Sequence, residues 1–221
     1  MQHRPGLTRT LPFAIFIGIM ALDPLLQGIF PPGFDGRWSY GIRTTLALLA
    51  LAVLWRNYGE LRSLRGLGWK DWLLGLSVGI LLFIFWINLD FPQLSLGSGT
   101  GFDPRTEEGF ALGLVVTRLA GAAIVVPVME ELFWRSFVLR WLHNSRFLTV
   151  APNVIEIRPL LISSVLFATE HHLWFAGLLA GLGYGLVYKR SGNLWVPIFA
   201  HAVTNGLLGA YVLMTGEWGF W

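Results

Sequence analysis

The sequence predicts an all-α protein: a polytopic integral membrane helix bundle with seven, at most eight, transmembrane helices. Three observations predict it. Of 221 residues, 54% are hydrophobic and 13% charged, where an ordinary soluble domain carries about 25% charge. The apolar residues fall in long runs separated by short polar links, as in repeated membrane spans. The links alternate in charge from one end of the chain to the other.

The expected spans are 11–30, 41–56, 72–89, 110–134, 159–171, 174–188 and 194–214. The first follows basic residues, as a signal peptide would. It lacks a small-x-small cleavage site, so it reads as an uncleaved helix. The fifth and sixth fall short of the ~20 residues that a 30 Å hydrocarbon core requires. Such spans are tilted, re-entrant or shielded by neighbours. The stretch LGSGTGFDPR (96–105) reads as a flexible external loop. Small residues recur at three- and four-residue spacing in AGLLAGLGYGLVY (176–188), which lets helices approach closely.

Basic links follow the second, fourth and sixth spans: Arg56, Arg62, Arg65 and Lys70; then Arg135, Arg140, Arg146 and Arg158; then Lys189 and Arg190. The link after the third span is acidic, with Asp90, Asp103, Glu107 and Glu108. The positive-inside rule then places the N-terminus in the cytosol. A net charge of +3, dispersed along the chain, gives no footprint for nucleic acid; the partner it implies is the lipid bilayer. With no cysteine, thiolate metal sites and cysteine nucleophiles are excluded. The length suits a single membrane domain, with residues 1–109 supplying its N-terminal helices and loops.

Ionisable groups inside a membrane cost about 2.5–3.5 kcal/mol each on insertion scales, so each needs a reason. Three clusters stand out. In VVPVMEELFWR, Glu131 and Arg135 are four residues apart and face each other on a helix. Glu130 lies about 100° away from Glu131 and is the spare acid; Pro127 can open the backbone beside it. In FATEH, Phe167 and His171 share a helix face, and in HAVTN so do His201 and Asn205. Counted from the nearest flanking residues at 1.5 Å per residue, Glu130, His171, His201 and Asn205 sit about 9–20 Å into the core, at compatible depths. Asp23, Arg43, Asn88 and Arg118 read as structural, with the two arginines snorkelling outward.

Together the three motifs resemble the CAAX protease and bacteriocin-processing family of intramembrane endopeptidases, whose pattern is EExxxR, FxxxH, then HxxxN or HxxxD. The match covers residues 110–214, an expected catalytic helix core. The tail is similar to that of a bacterial CAAX prenyl protease-related subgroup, which implies a bacterial inner membrane and a link to an exosortase-type protein-sorting system. Ser136 departs from the Gly that many bacterial members carry after the motif arginine. The resemblance implies a peptidase without cofactor, acting on a membrane-associated polypeptide substrate. Glu130 would be the base that activates water, assisted by His171. His201 and Asn205 would stabilise the oxyanion, with Glu131, Arg135 and Phe167 in support. A zinc protease using Glu130, His171 and His201 is the metal alternative, although the HExxH spacing is absent. A non-catalytic scaffold or immunity-type protein is the other. No serine motif and no two-fold repeat of a transporter is present.

Overall fold

The computed structural model describes residues 4–26, 28–64, 66–97 and 101–221. Its helices are α1 (Pro5–Leu26), α2 (Ser39–Leu54), α3 (Trp69–Asn88), α4 (Leu112–Ala120), α5 (Val126–Glu131), α6 (Arg140–His143), α7 (Ile157–Ala168), α8 (Trp174–Ser191) and α9 (Trp195–Thr215). Two π-helical segments, Gly121–Val125 and Leu132–Leu139, join α4 to α5 and α5 to α6. That makes one continuous rod of 32 residues, Leu112–His143. This rod, α1, Gly36–Asn57, α3 and α9 are each long and apolar enough to cross a bilayer. The all-α membrane bundle expected from the sequence is therefore what the chain forms. Sequence patterning misses one small element, a hairpin of β1 (Arg105–Thr106) and β2 (Gly109–Phe110).

The fourth span was expected to end at residue 134, but the helix continues to His143. Two arginines that looked like a polar link are inside the fold. Arg135 is 2% exposed and pairs with Glu131. Arg140 donates to the carbonyls of Val150 and Leu148, both at 3.0 Å. Short α7 spans only about 18 Å at 1.5 Å per residue. It stops within the thickness of a bilayer, and the turn after it holds His171. Helices α8 and α9 end on Gly192 and Gly216, both at positive φ, where only glycine is unstrained.

Close packing depends on the small residues. A Cβ on Gly79 of α3 would stand 2.5 Å from the Ala200 carbonyl of α9. In α8, Gly177, Gly181 and Gly185 all face α7 and its following turn, as the spacing in 176–188 suggested; a Cβ on Gly181 would meet the Ser164 Cα at 2.9 Å. Backbone cannot yield as a side chain can, so overpacking there costs about 1–3 kcal/mol. Gly181→Ala is expected to lower thermal stability in detergent by that amount. An unchanged melting temperature would show that α7 and α8 can part without cost.

The bundle end carrying the basic links is sewn together by polar contacts. Arg9, buried in α1, pairs with Glu60 at 2.6 Å and donates to the Ser136 hydroxyl at 3.1 Å; Ser136 in turn donates to Glu60. Trp195 Nε1 donates to the Leu61 carbonyl. Burial alone would raise the Glu60 carboxyl, but the Arg9 and Ser136 contacts outweigh it and hold it below its ordinary value of 4.5. A depressed folded value stabilises the protein fully above that ordinary value, and the contribution is lost as pH falls through the folded one. Unfolding of wild type should therefore ease below about pH 4 relative to Glu60→Gln. Parallel pH curves for the two proteins would refute the coupling.

At the opposite end, Arg37 pairs with Asp35 and donates to the carbonyls of Asp103 and Arg105. Leu96 exchanges bonds with His172: its N–H donates to the His172 carbonyl, and its own carbonyl faces His172 Nδ1. Much of the loop read as flexible is pinned by these bonds, while its residues 98–100 lie outside the described residues.

Candidate active site

The site begins with Pro127, which has no N–H to donate. The Val126 N–H reaches back five residues to the Gly121 carbonyl, in the π pattern. The Ala122 carbonyl therefore receives neither the Val126 nor the Pro127 donor that a regular helix or a π turn would supply. Asn205 of α9 fills the gap, donating from Nδ2 at 2.8 Å. This bond docks α9 to the rod and fixes the Asn205 amide, leaving its second N–H available. Pi segments recur at functional sites because the wider turn re-aims side chains. Here they flank α5, which carries both glutamates.

Glu131 is fully buried and serves two partners. Its Oε2 lies 3.1 Å from Arg135 Nε, and its Oε1 lies 3.0 Å from His201 Nδ1. The sequence reading gave it the first role only; the second needs α9 to be placed against α5. Arg135 donates onward to the Gly181 carbonyl at 3.3 Å. Its guanidinium centre lies 4.5 Å from the Phe167 ring centroid and 5.3 Å from that of Tyr184. Tyr184, which no sequence motif signalled, also stacks on His201 at 4.7 Å, nearly parallel.

Glu130 points elsewhere. Its Oε2 is buried, has no hydrogen-bond partner, and stands 4.0 Å from His201 Nε2. His201 thus lies between two carboxylates, Nδ1 toward Glu131 and Nε2 toward Glu130. On the other side, His171 Nδ1 lies 2.9 Å from the Phe167 carbonyl. A carbonyl can only accept, so Nδ1 carries the proton and Nε2 keeps its lone pair. The Phe167 ring sits between the two histidines, at 4.7 Å from His171 and 6.4 Å from His201. Trp86 of α3 closes over His171 at 5.3 Å.

Glu130, His171, His201 and Asn205 all line one cavity of about 230 Å³. The sequence-predicted residues are therefore brought together, with Glu131, Arg135 and Phe167 behind them. Among the described residues, no three His, Asp or Glu side chains are grouped so as to hold an ion, although the Nδ1 bonds of His171 and His201 leave both Nε2 atoms free, as they are in a metal-ligating histidine. Asp23 pairs with Arg43 at 3.1 Å. The snorkelling expected of Arg43 and Arg118 is not observed, since both line the cavity. Their guanidinium groups are turned inward over the Tyr40 ring, at 5.1 and 4.1 Å.

The sequence is similar to those of known proteins. The family model described as Type II CAAX prenyl endopeptidase Rce1-like matches residues 109–207, a range that contains every one of these candidate residues. Over 183 residues the chain is 29% identical to the "Putative membrane peptidase YdiL" of Bacillus subtilis, an overlap covering 77% of this chain and 69% of that relative. No solved structure matches the chain significantly.

Proposed function

We propose that the chain, similar to the Rce1-like family model and to a Bacillus membrane peptidase, is a CAAX protease and bacteriocin-processing family member, an intramembrane endopeptidase that uses a glutamate-activated water. Its substrate is a membrane-associated polypeptide. The observation that carries this reading is Glu130 Oε2: a buried, unpartnered carboxylate oxygen on the wall of a cavity shared with two histidines. A carboxylate in a water-poor site with no competing donor is suited to accept a proton from water. The water oxygen then uses its electron pair to bond to the scissile carbonyl carbon, and the C=O π pair moves onto the carbonyl oxygen. His171 Nε2, with its lone pair free, holds the water's second hydrogen and so orients it. The free Asn205 N–H faces the developing oxyanion, joined by His201 Nε2–H when the ring is doubly protonated with Nδ1–H on Glu131; fixed donors there give a large part of catalysis. The C–N bond breaks as the proton on Glu130 passes to the leaving nitrogen. Glu131 anchors His201 through Nδ1, leaving Nε2 as the ring atom that serves the cavity.

No step is routed through zinc, since among the described residues no three His, Asp or Glu side chains are grouped so as to hold an ion. The charge of the links supports an N-terminus in the cytosol, with the Arg37 end outside. The test is cleavage of a quenched-fluorescent peptide library by purified protein in detergent, with and without a strong chelator. Cleavage at one class of bond, unaffected by chelator, is expected. Chelator-sensitive cleavage restored by zinc would overturn the mechanism, and a failure to cleave any peptide would favour the scaffold reading.

A further inference from the structure

The cavity wall holds an arginine that the proposed chemistry does not use. Arg118 lies on the same rod as Glu130, twelve residues earlier, and lines the same cavity. None of the ion pairs among the described residues includes it, and its buried Nε has no hydrogen-bond partner. Its guanidinium is enclosed by aromatic rings instead: Tyr40 at 4.1 Å, Phe102 at 5.4 Å and Trp221 at 6.0 Å. Each such contact is worth about 0.5–2 kcal/mol, but a ring face satisfies few N–H donors. Arg43 stands beside it with its own Nε unpartnered, half neutralised by Asp23. Two guanidinium groups thus stand together in the interior of a membrane protein with one carboxylate, Asp23, which pairs with Arg43 and not with Arg118.

The π segment explains how Arg118 comes to face the site. In a regular α-helix, residues twelve apart differ by about 120°. One wider turn absorbs an extra residue and removes about 100° of that drift, so Arg118, Ala122, Val126 and Glu130 line the cavity in succession. With one residue absorbed in the wide turn, the axial separation of Arg118 and Glu130 is about 17 Å at 1.5 Å per regular step. An extended peptide covers that distance in about five residues.

We propose that Arg118, assisted by Arg43, forms a carboxylate-binding subsite of the catalytic cavity, taking an acidic group of the substrate about four to six residues from the scissile bond. The inference rests on the peptidase reading. The carboxylate is either an Asp or Glu side chain or the C-terminal carboxylate of the substrate; both offer the planar acceptor that a guanidinium recognises. A lipid phosphate suits the position less well, because the charge is turned into the cavity under Phe102 and Trp221 and away from the surrounding bilayer.

The test reads binding, so that it stands apart from turnover. Glu130→Gln protein in detergent is titrated with a fluorescent leucine–alanine nonapeptide in four forms: with or without one internal Glu, and with the C-terminus free or amidated. The form lacking both carboxylates is expected to bind about ten- to hundredfold more weakly than the best singly charged form, the range for a charge-assisted hydrogen bond. Which single carboxylate suffices identifies the source. Arg118→Gln in the same background should erase the difference. If that variant fails to fold, the four-peptide comparison with Arg118 intact still decides. Equal binding of all four forms, or a preference that survives Arg118→Gln, overturns the subsite. Arg118-dependent binding of phosphatidylglycerol without any peptide preference overturns it in favour of a lipid. Absence of turnover in the library assay would sink the peptidase reading alone, since the binding preference does not depend on it.

Discussion

Glu130→Gln is expected to reduce peptide cleavage at least about a thousandfold while leaving the melting temperature within about 2 °C of wild type. The glutamine keeps the shape of the side chain but cannot take a proton from water. General-base catalysis is worth about 10²–10⁴, and here the same group also returns the proton to the leaving nitrogen. The structural cost is small because Glu130 Oε2 has no hydrogen bond to lose. A nearby carboxyl could in principle substitute, but Glu131 is committed to Arg135 and His201. Residual activity above about a tenth of wild type would assign the base elsewhere. A collapse in stability would instead make Glu130 a structural residue.

Glu131→Gln should behave in the opposite way, losing stability first. Arg135 would remain buried with an uncompensated charge, and breaking a buried pair from one side costs about 3–5 kcal/mol. The variant also loosens His201, so activity should fall as well. Adding Arg135→Met separates the two effects. Removing the stranded cation should recover most of the stability, since well-packed apolar replacements of buried pairs are often neutral, but His201 still lacks its anchor and activity should stay low. Thermal unfolding and peptide cleavage, measured on the single and double variants, give both readouts. If the double variant regained activity together with stability, Glu131 would be no more than a counter-ion for Arg135.

These two glutamates show what the sequence carries and what it does not. Adjacent acids with an arginine four residues on, followed by FxxxH and HxxxN, could be recognised in one dimension because helix periodicity fixes which side chains share a face. The same periodicity, with the apolar runs, was enough for the bundle and for the compatible depths of Glu130, His171, His201 and Asn205; that they share a site was implied only by the family resemblance. Periodicity says nothing about what faces a residue across a helix interface. Glu131 was therefore seen with Arg135 but not with His201, and Tyr184 and Trp86, ordinary aromatics in apolar runs, carried no signal. Arg140 looked like part of a link because a lone arginine reads as solvent-facing; its carbonyl partners come from the segment 148–150, which folds back only in three dimensions.

The backbone supplied the remaining surprise. Pro127 marked a local opening, but the sequence did not say that the Ala122 carbonyl would be the group set free, nor that Asn205 would take it. Nor did it say that the resulting wide turn would rotate Arg118 into line with Glu130. Composition and apolar period determined the class of fold, and the three motifs, through the family they resemble, named the chemical groups of the site. Tertiary structure decided their pairing, the shape of the cavity and which charges go unpaired, because those depend on contacts between helices that are distant in the chain.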